Sequence, residues 1–186
     1  MRFVDDFVVS FQYLADAEAF RRQLRGRFAG FNLELAEEKT RLLLFGRFAA
    51  ERRAQTGRRP ETFEFLGFKH VCGVDRKGRF AVIRIPSVKS CRKFLDRTHQ
   101  WLVRHMHWRK RDQQRHLNAM LRGFYQYFRL NHCQKKLDWV CREVKFQWRR
   151  VLRHQGQRQR FHWSYLATRE WFKLPLPPTR SLHPMV

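Results

Sequence analysis

The sequence predicts an α+β protein, with a strand-rich first part carrying one helix and a β-hairpin, followed by an all-α helical bundle. Three observations point there. Before residue 87, apart from one helical segment at about residues 16–30, the apolar residues stand in short runs or alternate with polar ones, as strands require. From Ser87 onward the apolar period becomes that of a helix and holds through three successive segments. Between the first strands and the hairpin, residues 47–61 are polar and Arg-rich, with Gly57 and Pro60, and read as a linker or exposed loop.

Taken in order, Phe3-Val4-Asp5-Asp6-Phe7-Val8-Val9 is β-prone on both sides of two acids and reads as a tight hairpin or strand pair. Asp16 has the character of an N-cap. Ala17, Phe20, Leu24 and Phe28 follow at helical spacing, and Gly30 is the stop. Phe31, Leu33 and Leu35 alternate with polar residues, predicting a short extended segment. Leu42-Leu43-Leu44-Phe45 predicts a buried strand closed by Gly46. Phe63, Phe65 and Phe68 lead to Val71, and Phe80, Val82, Ile83 and Ile85 return. Asp75-Arg76-Lys77-Gly78 makes the turn of this hairpin.

The first bundle helix carries Val88, Cys91, Leu95, Leu102 and Met106 on one face, and the second carries Leu117, Met120, Leu121, Phe124 and Phe128. The third carries Leu137, Val140, Cys141, Val144, Trp148, Val151 and Leu152. Three amphipathic helices with short links pack as a bundle. A fourth, shorter helix is expected from about Ser164 to Phe172. Leu174-Pro175-Leu176-Pro177-Pro178 then reads as extended, polyproline-like chain.

Composition fits a folded domain: 186 residues, 43% hydrophobic and 15% aromatic, can bury a real core. Charge is the strongest functional signal. Forty Lys+Arg stand against sixteen Asp+Glu, a net of +24. A compact chain with that excess repels itself unless a polyanion neutralises it, and nucleic acid is the usual polyanion. Residues 1–60 hold 12 basic and 8 acidic side chains, while residues 61–186 hold 28 and 8, a net of +20. The basic surface therefore belongs mainly to the helices. On the faces opposite the apolar stripes stand Arg92, Lys93 and Arg97, then Arg109, Lys110, Arg111, Arg115 and Arg122, then Lys135, Lys136, Arg142, Arg149, Arg150 and Arg153. These are the candidates for phosphate contact.

Exposed rings among them could stack on unpaired bases, and Tyr125, Tyr127, Trp108, Trp139 and Trp163 are candidates for stacking or for core packing. Phe124 and Phe128 lie on the apolar stripe and belong to packing. Gly123 stands mid-helix, where glycine costs about 1 kcal/mol relative to alanine, and implies close approach of a helix or RNA backbone, or simple tolerance. Cys72, Cys91, Cys133 and Cys141 show no CxxC pair and no zinc-finger spacing, and read as reduced core residues. Met1 leads directly into charged residues, and no apolar run approaches the roughly 20 residues of a membrane span. A cytoplasmic setting with no membrane partner is expected.

Asp5 and Asp6 are adjacent carboxylates on a strand pair. A divalent metal resolves their repulsion, since Mg²⁺ favours carboxylate oxygens together with substrate phosphates. The segment around them resembles the palm motif of reverse transcriptases: an aromatic, any residue and two aspartates between hydrophobic strands. A helix follows, then Gly30-Phe31-Asn32-Leu33-Glu34-Leu35 with Glu38-Lys39-Thr40, then an apolar run. Phe63-Glu64-Phe65-Leu66-Gly67-Phe68 looks like the family's primer-contacting hairpin. Leu117-Asn118 with Leu121-Arg122-Gly123-Phe124-Tyr125-Gln126-Tyr127-Phe128 resembles the maturase-specific domain of group II intron proteins, as do Trp148-Arg149-Arg150 and Leu174-Pro175-Leu176-Pro177 near its end. The ordered set covers nearly the whole chain.

The resemblance implies a partial reverse-transcriptase palm over residues 1–60, a primer-grip-like hairpin over 61–86 and a thumb and maturase-specific helical domain over 87–186. It implies group II intron RNA as partner, with a primer–template duplex and an N-terminal reverse-transcriptase half as further partners. Asp5 and Asp6 take the metal-binding and catalytic places, and Lys39 resembles the palm's later lysine near the incoming nucleotide. Phe3 and Val4 stand where the family usually has Tyr and Ala. The family's other catalytic aspartate and its fingers would precede Asp5, so Mg²⁺ is expected only where a complete palm is assembled, and this chain alone is expected not to polymerise DNA. The alternatives are a stand-alone, non-catalytic RNA-binding splicing factor or a gene remnant, and a basic protein that binds nucleic acid without specificity.

Overall fold

Residues 2–3, 6–55, 57, 59–155 and 161–179 are described in the structure, a computed structural model. Asp5 lies outside them. The architecture is α+β, and the chain divides into two units, Met1–Glu61 and Thr62–Val186.

In the first unit, β1 (Arg2–Phe3) pairs antiparallel with β2 (Asp6–Phe7), with Phe3 opposite Asp6. Helix α1 (Leu14–Ala29) starts three residues earlier than the sequence suggests. Tyr13 is its N-cap and Asp16 sits in the first turn, where a carboxylate opposes the positive end of the helix dipole. Gly30 ends it, its N–H donating to the Gly26 carbonyl. The expected extended segment after it is a turn instead. Asn32 adopts a φ of 54°, and the Leu33 N–H returns to the Phe28 carbonyl at 2.9 Å.

Leu42–Phe45 is not a buried strand. It has no regular structure, Leu42 and Leu44 are exposed, and the Leu44 N–H is satisfied by the Glu61 carboxylate at 2.8 Å rather than by a neighbouring strand. The stretch read as a loop contains helix α2 (Arg47–Gln55). Its run of Ala, Glu, Arg and Gln favours helix whatever its polarity. Ala17 and Ala49 are the buried apolar residues among those described here, while Phe31, Leu33 and Phe48 are exposed.

The second unit has a core. Its sheet has the order β3 (Phe63–Phe65), β4 (Phe68–Val74), β5 (Phe80–Pro86), all antiparallel. The expected first arm splits at Leu66-Gly67, both at positive φ, into two strands joined by a tight turn. Gly67 is required there twice over: its φ is 74°, and a Cβ would come within 2.9 Å of the Ser90 hydroxyl. The long hairpin turns where expected. The Asp75 carboxylate accepts the N–H groups of Lys77 and Arg79 at 2.8 and 2.9 Å, an Asx-type closure.

Ser87 caps α3 (Val88–Arg104) by accepting the Ser90 N–H at 3.1 Å. Then come α4 (Lys110–Phe128), α5 (Gln134–Gln155) and α6 (Trp163–Ala167), with a 3₁₀ turn at Glu170–Phe172. Met106 falls beyond α3, and the single fourth helix read from the sequence is two short pieces broken at Thr168-Arg169.

Cys91, Leu102, Leu117, Leu121, Val140, Val144, Trp148 and Leu152 are all buried in one cluster, so the three apolar stripes meet as their period requires. The sheet joins this cluster through Phe68, whose ring lies 4.9 Å from Phe128. The tail packs back on α4, where Gln114 donates to the carbonyls of Glu170 and Lys173 at 2.8 and 2.7 Å.

Candidate nucleic-acid interface

The bundle is held in register by a buried polar residue that the apolar pattern does not reveal. Gln113 is fully buried on α4, one turn before Leu117. Its side-chain amide donates to the carbonyls of His105, Met106 and Trp108 at 3.0, 2.9 and 3.2 Å, tying the end of α3 to α4. Its carbonyl accepts the indole N–H of Trp148 on α5 at 2.7 Å. One side chain on α4 therefore satisfies groups at the end of α3 and on α5, and the outer helix faces are fixed relative to one another as a result. The signal was a glutamine standing in phase with Leu117 and Leu121.

Those outer faces are cationic. Arg92, Lys93 and Arg97 on α3, Arg109, Arg111 and Arg122 at and along α4, and Lys135, Arg142, Arg150 and Arg153 on α5 are all exposed. Among the described residues none of these ten has a carboxylate within ion-pair distance. Arg115 meets Asp112 at a loose 3.7 Å.

Three further candidates are partly engaged inside the fold. Lys110 lies over the rings of Phe161 and Trp171, and Lys136 over Trp139 at 5.1 Å. Arg149 donates through Nε to the Phe161 carbonyl at 2.9 Å and covers Trp163 at 4.8 Å. It anchors the segment leading to α6.

The aromatic candidates separate cleanly. Tyr125 is core and not a stacking surface. It is 3% exposed, and its hydroxyl donates to the Pro175 carbonyl at 3.2 Å. Burial, then the neighbouring Cys141 thiol, push its pKa far up, so it remains a neutral donor. Tyr125 follows Leu121 by four residues, which puts it at the edge of the apolar stripe. Trp139 is partly buried against the core. Tyr127, Trp108 and Trp163 are about half exposed, and Tyr127 donates to the Leu66 carbonyl at 2.9 Å.

Cys91, Cys133 and Cys141 are buried free thiols and Cys72 is half-buried. Burial raises the pKa of Cys91 and Cys133. His70 is buried against Phe63 with ring centroids 4.6 Å apart, and burial followed by the Arg84 charge lowers its pKa. His116 stacks on Trp101 at 3.9 Å, and burial followed by His105 lowers it too.

In comparison with known proteins, no family model, no curated protein and no solved structure matches the chain. No helix of the described residues is long and apolar enough to cross a membrane.

The acidic pair is a different matter from the basic face. Asp6 is exposed on a two-residue strand, and Asp5 lies outside the described residues. Lys39 is exposed in the turn after Ala36, and no ion pair joins it to Asp6 among the described residues. No three His, Cys, Asp or Glu side chains converge among those residues. The described carboxylates therefore do not by themselves make a Mg²⁺ site.

Proposed function

We propose that this chain binds RNA through the outer faces of α3, α4 and α5, as the palm-to-maturase portion of a group II intron reverse transcriptase/maturase. One observation carries the binding claim: ten exposed Lys and Arg side chains on a packed bundle, with no carboxylate to neutralise them among the described residues. Their mutual repulsion is relieved by a polyphosphate. The rigid Gln113–Trp148 link keeps the charges in a fixed array, which suits a structured RNA better than a flexible tail would. The intron assignment rests on the ordered motifs from Phe3 to Pro177, and the thumb, maturase-domain and primer-grip labels come with it. In this reading the exposed apolar residues of the first unit are covered by further polypeptide completing a palm, and Mg²⁺ is bound by Asp5 and Asp6 in that assembly only.

A second reading, a non-catalytic splicing factor, is favoured by the contrast between the units: the second has a continuous core of its own, and among the described residues of the first only Ala17 and Ala49 are buried apolar ones. Competition binding tests the proposal. The chain is expected to hold a structured group II intron RNA against excess random RNA of equal length at near-physiological salt. Equal retention of both would reduce it to a non-specific basic protein.

A further inference from the structure

A groove of about 410 Å³ runs along the seam between α3 and α4. Its walls include Arg97, Met120, Gly123 and Tyr127. Its floor is a row of buried rings: Phe94 lies 4.4 Å from Phe124, and Phe124 lies 4.6 Å from Phe128.

Two features of the walls bear on what the groove can hold. Gly123 costs the helix about 1 kcal/mol relative to alanine, yet a Cβ there would meet nothing within 4 Å. The chain itself does not need a glycine at this position. Tyr127 is 56% exposed yet immobilised. Its hydroxyl is tethered to Leu66, and its ring stacks on Phe68 at 5.7 Å with an interplanar angle of 24° and meets Phe128 edge-on at 4.8 Å. A ring held on one side and open on the other loses little side-chain entropy when something stacks on it. Above the apolar wall, Arg97 is exposed and has no ion-pair partner among the described residues.

We infer that this groove receives an unpaired nucleobase of an RNA strand, stacked on Tyr127 and passing over Gly123, with the adjoining phosphate on Arg97. The inference deepens the RNA-binding reading above and rests on it. Charge chooses the occupant. An apolar protein helix laid in the groove would desolvate Arg97 with nothing to pair it, whereas a nucleotide brings a base for the rings and a phosphate for the guanidinium. The volume is within the range of small-ligand sites and suits one or two nucleotides.

The test compares an RNA hairpin bearing one bulged 2-aminopurine with the same hairpin fully paired, using the whole chain. Wild type should favour the bulged RNA and alter its fluorescence, and Gly123→Ala should weaken that preference. Gly123→Leu, which fills the groove with a good helix former, and Tyr127→Ala should lose that preference about tenfold or more while binding the paired hairpin as before. Unchanged preference in Gly123→Leu, with its helical circular dichroism intact, overturns the site. Wild type binding both RNAs equally also overturns it and leaves the RNA-binding reading standing. Failure to prefer either RNA over heparin removes both. Displacement by an apolar helical peptide, with no response to the bulged base, would make the groove a protein-docking site instead.

Discussion

Replacing Gln113 with leucine preserves side-chain volume and removes four polar contacts at once. The indole N–H of Trp148, on a side chain 0% exposed, loses its acceptor, and a buried donor left unpaired costs about 1–3 kcal/mol. The amide nitrogen has two hydrogens shared among three carbonyls, so two hydrogen bonds' worth, each about 0.5–1.5 kcal/mol, is lost at the end of α3. Leucine regains part of this by burying apolar surface. The expected net loss is about 2–4 kcal/mol, a large share of the stability of a domain this size. Urea unfolding followed by tryptophan fluorescence measures it. A double-mutant cycle with Trp148→Phe isolates the 2.7 Å bond, and a coupling of about 1 kcal/mol or more is expected. A loss below about 0.5 kcal/mol for Gln113→Leu, or no coupling in the cycle, would refute the view that this residue fixes the bundle.

Two further outcomes follow from the same geometry. The pKa values of His70 and His116 are both lowered on folding, so the unfolded chain binds protons first as pH falls. Above the ordinary histidine value of 6.5 the two groups contribute no pH dependence. Below it stability should decline until their folded pKa values are passed, and a His70→Phe variant should show a shallower decline in thermal unfolding between pH 7 and pH 5. Converting Arg92, Lys93 and Arg97 together to glutamine should leave the fold intact, because all three are exposed, and should reduce the slope of log affinity against log salt by about 2 for single-stranded RNA. An unchanged slope in filter binding would remove α3 from the interface.

The parts of the fold legible in the sequence are those decided locally. The apolar stripes of α3, α4 and α5 and the Asp75–Gly78 turn each depend on a few neighbouring residues, and they appear within a residue or two of expectation. The misreadings depend on distant partners. Leu42–Phe45 looks like a buried strand only if another strand lies beside it, and among the described residues of its unit none does. Helix α2 was hidden because its arginines suggested a loop, while the alanines between them carry the helix propensity. At the interface, the cationic residues could be listed from composition and phase. Which rings are free could not, because Tyr125 and Tyr127 stand two residues apart on one helix and only packing buries the first. Gln113 escaped because a stripe read from apolar residues alone leaves out a buried amide.

In the proposed function RNA lies on the outer faces of α3–α5. Ultraviolet crosslinking of the purified chain to a structured intron RNA, with the adducts mapped by mass spectrometry, tests it most directly. Adducts are expected to concentrate between residues 88 and 155, with Tyr127 among them and Tyr125 absent. Adducts confined to the first unit, or spread evenly along the chain and competed away equally by random RNA, would contradict it.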